Sequence, residues 1–247
     1  MIFKPTVHAY TIVGFFLFSL IFGFKNKYNL ELIKEIVFDV EVKKTLSSNK
    51  YTKSTGFIYY NFIKNEMLLG FKDPVKSFIK TNQFGEIKIY DPKNNEVMIT
   101  QNVMYSTKGH LMYYFFSQSQ KDLGLSKMGF VQNNRKFDGQ YEISEWIPPV
   151  SISKQLNKVL LVTKYQLPTL IEYYKNETII KKTYFSDYQK FGQISFPLKV
   201  VEIDYIIGKK DSSITYTIYS NPRINSNIEP EIKNFEIPSN AKVTTAK

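Results

Sequence analysis

The pattern of apolar and polar positions changes period several times along the chain. Between residues 12 and 24 it is unbroken: IVGFFLFSLIFGF follows Lys4 and ends abruptly at Lys25, Asn26 and Lys27. A run this short, with a cation before it, predicts the apolar region of an export signal over residues 1–24, and left uncleaved it would tether the protein to the inner membrane. Residues 29–48 follow, in which Leu30, Ile33, Val37 and Val40 recur at helical spacing. Asn29 as N-cap, Glu31 in the first turn and Lys43 and Lys44 near the end complete the expectation of an amphipathic helix there. From Thr52 the period becomes two. TGFIYYNFIKN sets Ile58, Tyr60 and Phe62 on one face and Phe57, Tyr59 and Asn61 on the other. EMLLGFKDP aligns Met67, Leu69 and Phe71, and SFIKTNQFGEIKIYDPKNNEVMIT reads as three short strands divided by Gly85 and by Asp91-Pro92-Lys93-Asn94-Asn95. Connections this tight predict an antiparallel meander.

A helix-like pattern returns over residues 107–120, where HLMYYFF is too apolar to stay exposed and KDLGL ends the run at Gly124. Strands then continue to the C-terminal tail, with hairpin turns at Asp138-Gly139, at Asn176 and over residues 208–211. No linker, repeat or low-complexity block interrupts residues 25–247, so one domain is expected. The predicted architecture is mostly β (α+β): a large curved antiparallel sheet forming an unclosed β-barrel, covered by an N-terminal helix and a mid-chain lid helix.

Composition narrows the chemistry. The absence of cysteine removes disulfides, thiolate nucleophiles and lipid attachment through an N-terminal Cys. His8 falls in the signal segment, leaving His110 alone, so no multi-histidine metal site is expected and no cofactor is called for. His110 sits in an apolar flank with no nucleophile elbow, which favours a packed histidine over a base. Glu142 and Glu145 flank the lone Trp146, yet a separation of three puts them on opposite faces of a strand. No phosphate-cradling glycine loop occurs. The net charge of +11 comes from scattered lysines and only two arginines, Arg135 and Arg223, which fits a solvated surface and argues against nucleic acid. The Asn176-Glu177-Thr178 sequon reads as a hairpin turn. With 18 Tyr and 20 Phe, aromatic side chains exceed what one sheet and two helices need for packing, so they are expected to line an apolar cavity.

Three segments carry a resemblance to a known family. Gly56-Phe57-Ile58-Tyr59-Tyr60, then Lys88-Ile89-Tyr90-Asp91-Pro92 with Val97, and finally Phe235-Glu236-Ile237-Pro238-Ser239-Asn240-Ala241-Lys242-Val243 resemble the glycine-opened first strand, the Y-D-P hairpin and the closing F-x-x-P-x-G-A-x-V of the periplasmic lipoprotein carrier and receptor (LolA/LolB-like) family. Ile63-Lys64-Asn65 departs from that family's Arg- and Pro-containing turn. The resemblance implies a monomeric, non-enzymatic periplasmic protein that binds lipid or the acyl chains of a lipoprotein for sorting to the outer membrane, with an inner- or outer-membrane release partner. The expected cavity residues are Ile58, Tyr60, Phe62, Met67, Leu69, Phe71, Ile87 and Ile89 from the strands and Leu111, Tyr114 and Phe115 from the lid. If the other sheet face is concave, Phe57 and Tyr59 replace Ile58 and Tyr60. An envelope interaction or sensor module of the same fold without lipid, and a secreted carboxylate hydrolase, are the competing expectations.

Overall fold

The computed structural model describes residues 32–45, 51–102, 105–117, 119–206 and 211–244. The expected signal segment, residues 1–24, lies outside the described residues, as does most of the turn at 208–211. The first half of the fold comprises β1 (Glu35–Thr45), β2 (Tyr51–Asn61), β3 (Glu66–Asp73), β4 (Ser77–Asn82), β5 (Glu86–Asp91) and β6 (Glu96–Gln101). A 3-10 turn (Thr107–Gly109) then leads into helix α1 (Leu111–Phe116). The second half comprises β7 (Val131–Asp138), β8 (Tyr141–Ile147), β9 (Lys158–Lys164), β10 (Leu167–Lys175), β11 (Thr178–Phe191), β12 (Ile194–Tyr205) and β13 (Ser212–Ile224). Helix α2 (Pro230–Lys233) and β14 (Lys242–Thr244) close the chain.

The fourteen strands among the described residues form one sheet in the order β14-β6-β5-β4-β3-β2-β1-β13-β12-β11-β10-β9-β8-β7. Pairing is antiparallel except where β14 joins β6, and the edges β14 and β7 do not pair with one another, so the sheet is unclosed. The turns are those the sequence demands. Asp91 Oδ1 accepts from the Lys93 amide at 2.8 Å, and Asn95 and Gly85 take positive φ. Asn176 and Glu177 both take positive φ, as a two-residue hairpin loop requires.

The expected helix over residues 29–48 is corrected: residues 35–45 are strand β1, paired with β2 on one side and β13 on the other. The reason lies in burial. Ile36, Val37 and Phe38 are all 0% exposed. Ile36, Phe38 and Val40 face the main core, while Val37 faces a second cluster on the reverse side. A central strand covered on both faces is apolar at consecutive positions, which hides its period of two and leaves spurious helical spacings.

Cross-strand pairing defines the inner face. Ile36, Tyr60, Met67, Thr81 and Ile87 form one row, and Phe38, Ile58, Leu69, Ile79 and Ile89 the next. On β8 to β13 the same face carries Trp146, Val159, Leu161, Ile171, Phe185, Val200 and Tyr219, and all belong to one buried cluster with α1. The outer face of β1 to β4 is covered by the C-terminal segment, where Ile228, Ile232 and Phe235 pack on Val37, Tyr59, Leu68 and Phe78, with Phe235 stacked 4.3 Å from Phe78. Gly56 is required where β2 and β3 bulge: a Cβ there would lie 2.0 Å from the Gly70 carbonyl oxygen.

Candidate functional site

The inner face is roofed by α1 and by residues 119–130. The roof is fixed to the first half of the sheet through polar contacts ahead of the helix. Ser106 Oγ donates to the Gln83 carbonyl at 2.7 Å, Thr107 Oγ1 to the Asn65 carbonyl at 2.8 Å, and Tyr60 Oη to the Thr107 carbonyl at 3.3 Å. His110 caps α1, its Nδ1 accepting from the Met112 amide at 3.3 Å, and burial pushes its pKa down to about 4, which keeps the imidazole neutral. Asp122 closes the following turn by accepting from the Gly124 and Ser126 amides. Gly124 (φ +76°) lies so close under Tyr114 that a Cβ would fall 2.3 Å from its ring. Leu123, Leu125 and Phe130 are thereby turned inward.

Between this roof and β10–β13 lies a cavity of ≈ 500 Å³, within the range that holds a small organic ligand. Its deep wall is apolar, with Leu111, Leu125, Phe130, Ile171, Phe185 and Val200. Thr183, Thr217, Tyr173 and Tyr219 add hydroxyls, and Lys181 and Glu202 stand at one end. Burial would lower the Lys181 ammonium's pKa, but its bond to Glu202 at 2.5 Å and the nearby Asp204 outweigh burial and hold it above the ordinary lysine value. Burial raises the Tyr173 phenol to about 12 and the Tyr219 phenol further, so both stay protonated.

The eleven residues expected to line a cavity all lie on this inner face or its roof, in different roles. Leu111 and Tyr114 line the cavity. Phe115 is fully buried against Phe185, Tyr188 and Phe196. Ile58 and Tyr60 are core residues, Tyr60 stacked on Phe62 at 4.4 Å and Phe62 tilted against Phe116 at 5.2 Å. Met67 and Leu69 pack against the same cluster, and Phe71, Ile87 and Ile89 extend its rows along β3 and β5. Phe57 and Tyr59, the alternative pair, face outward beneath the C-terminal segment. The floor residues Ile171, Tyr173, Phe185, Val200, Thr217 and Tyr219 were not anticipated. The signal that could have found them is the alternation Thr183/Phe185, Val200/Glu202 and Thr217/Tyr219, which sets pairs of inward residues on three adjacent strands.

Glu142 and Glu145 point to opposite faces, Glu142 bound to Arg135 at 2.7 Å and Glu145 to Asn133 at 2.7 Å. Among the described residues no group of three His, Asp or Glu could hold a metal ion, and no helix is long and apolar enough to cross a membrane.

The architecture is thus an open, largely antiparallel sheet set against a short helix, with an apolar chamber between them. No family model and no curated protein matches the chain, but solved structures do. A LolA superfamily protein of Nitrosomonas europaea aligns over 82% of this chain and 90% of its own at 8% identity and a TM-score of 0.54. An outer membrane lipoprotein-sorting protein domain from Vibrio parahaemolyticus covers 81% and 89% at 13% identity and 0.54. A DUF1329 family protein from Desulfovibrio piger covers 82% and 90% at 12% identity and 0.57. The fold is LolA-like.

Proposed function

We propose that the protein is a non-catalytic periplasmic binder of lipid, or of the acyl chains of a lipoprotein, acting in sorting towards the outer membrane. The observation that carries this reading is the chamber of ≈ 500 Å³ held open between α1 and β10–β13. Its chemistry suits an acyl chain: apolar in depth, hydroxylated and charged at one end. Each methylene transferred into it contributes about 0.8 kcal/mol, so ten give roughly 8 kcal/mol before the costs of ordering. The LolA-like fold and the lipoprotein-sorting name of one structural neighbour support the same reading.

The test is native mass spectrometry with lipid extraction on protein purified from a bacterial periplasm, beside Thr217→Phe, which places a ring in the chamber. Co-purified lipid or acylated peptide in the wild type, absent from a folded Thr217→Phe, supports the proposal. A ligand-free mass that also takes up no fluorescent acyl ester sinks it. A second reading, an envelope interaction module, is favoured by β7, an edge strand exposed along all eight residues and able to accept a partner strand.

A further inference from the structure

We infer that the chamber selects cargo whose polar end is an uncharged acyl ester or amide, and disfavours free carboxylates and phosphates. This rests on the acyl-binding reading above and concerns which chains enter. Neighbouring strands stack the inner face in rows of different chemistry. Tyr173, Lys181 and Asp204 form one row, Ile171, Thr183, Glu202 and Thr215 the next, and Phe185, Val200 and Thr217 a third. Polarity thus falls from the first row to the third, and a chain laid along this gradient puts its polar end against Lys181, Glu202 and Asp204.

The charge there is unbalanced. Lys181 Nζ lies 2.5 Å from Glu202 Oε1 and 3.6 Å from Asp204 Oδ1, so one cation faces two carboxylates. The ammonium is already engaged, and an incoming anion meets a net negative charge. Of the other cations in the Glu202 row, Lys44 stands two strands away and Arg135 five, and neither lines the chamber. What the site does offer is neutral donors. Tyr173 stands in the first row beside Lys181 and Thr183 in the second beside Glu202, and both line the chamber. An ester or amide carbonyl accepts from such a hydroxyl without bringing charge.

Two probes with the same chain isolate the polar end: laurate and monolauroylglycerol, titrated calorimetrically below their aggregation limits at about pH 8, where the carboxylate is ionised. Because Lys181 and Glu202 are each 35% exposed and partly screened, the ester is expected to bind about tenfold tighter. Glu202→Gln closes that gap by leaving Lys181 less neutralised, and Lys181→Gln widens it. Opposite shifts from two neighbouring rim substitutions are not what a loss of structure produces. Laurate binding as tightly as the ester, or both variants moving the gap the same way, overturns the selectivity while the acyl reading stands. Neither probe binding at all overturns the acyl reading, and the selectivity with it.

Discussion

The two halves of the sheet treat their surfaces in opposite ways. On β1–β4 the outer face is covered by the C-terminal segment, and the inner face of this half is filled where Tyr60, Phe62 and Phe116 pack ring to ring in succession. On β7–β13 no described segment of chain covers the outer face, where Tyr184 and Ile218 stand exposed, and the inner face is held away from its roof by the chamber. The roof itself is fastened to the first half, through Ser106, Thr107 and Tyr60. A well-packed half therefore serves as the frame, and the other half carries free volume. Cores at crystal-like density resist deformation, whereas a wall with partners missing on one side can adjust to cargo.

The largest effect should come from cutting the frame. Phe38 is fully buried, stacked 5.0 Å from Phe196 and edge-on to Phe191 and Tyr219, both at 5.7 Å. Phe38→Ala is expected to cost about 3–5 kcal/mol in urea denaturation. Ile171→Ala removes a side chain that borders the chamber and so has fewer partners to lose, and about 2 kcal/mol is expected, at the low end for such a truncation. Equal costs would break the distinction between frame and chamber.

Much of the frame was legible in the sequence, for a physical reason. Strands β2 to β6 have one clearly apolar face and tight turns whose residues set their own geometry, such as Asp91 and Gly85, so period and punctuation agree. Strand β1 failed that test because Val37 is wanted by the outer cluster as much as Ile36 and Phe38 are by the inner one. The chamber was legible only in kind. Aromatic abundance pointed to an apolar site, and α1 supplied Leu111 and Tyr114, but nothing local marks Ile171 or Val200 as wall and Ile58 as core. That difference depends on where α1 and residues 119–130 settle across strands distant in sequence.

The smallest effect concerns how the frame's outer cover is fastened. Glu35 is buried beneath the C-terminal segment, its Oε1 accepting from Tyr59 Oη and Asn61 Nδ2, each at 2.8 Å, and its Oε2 bound to Lys233 of α2 at 2.5 Å. Burial alone would raise its pKa, but the bonds from Lys233 and Tyr59, with the charges of Lys233 and Lys64, outweigh burial and hold it below the ordinary value of 4.5. A carboxyl depressed on folding contributes stability that is fully present above its unfolded pKa and is lost as pH falls through the folded one. The C-terminal cover should therefore loosen in acid, below about pH 4.5, seen as faster amide exchange over residues 228–244. Glu35→Gln keeps the acceptor for Tyr59 but loses the bond to Lys233. It should cost about 1–2 kcal/mol at neutral pH and flatten the acid response. Because Lys233 can be hydrated at the surface once released, the loss stays well below that of Phe38→Ala. If exchange over residues 228–244 keeps its acid acceleration in Glu35→Gln, this carboxylate is not the fastening, and the cover is held by its other contacts, among them Ile228, Ile232 and Phe235, the Arg223–Glu229 pair and the pairing of β14 with β6.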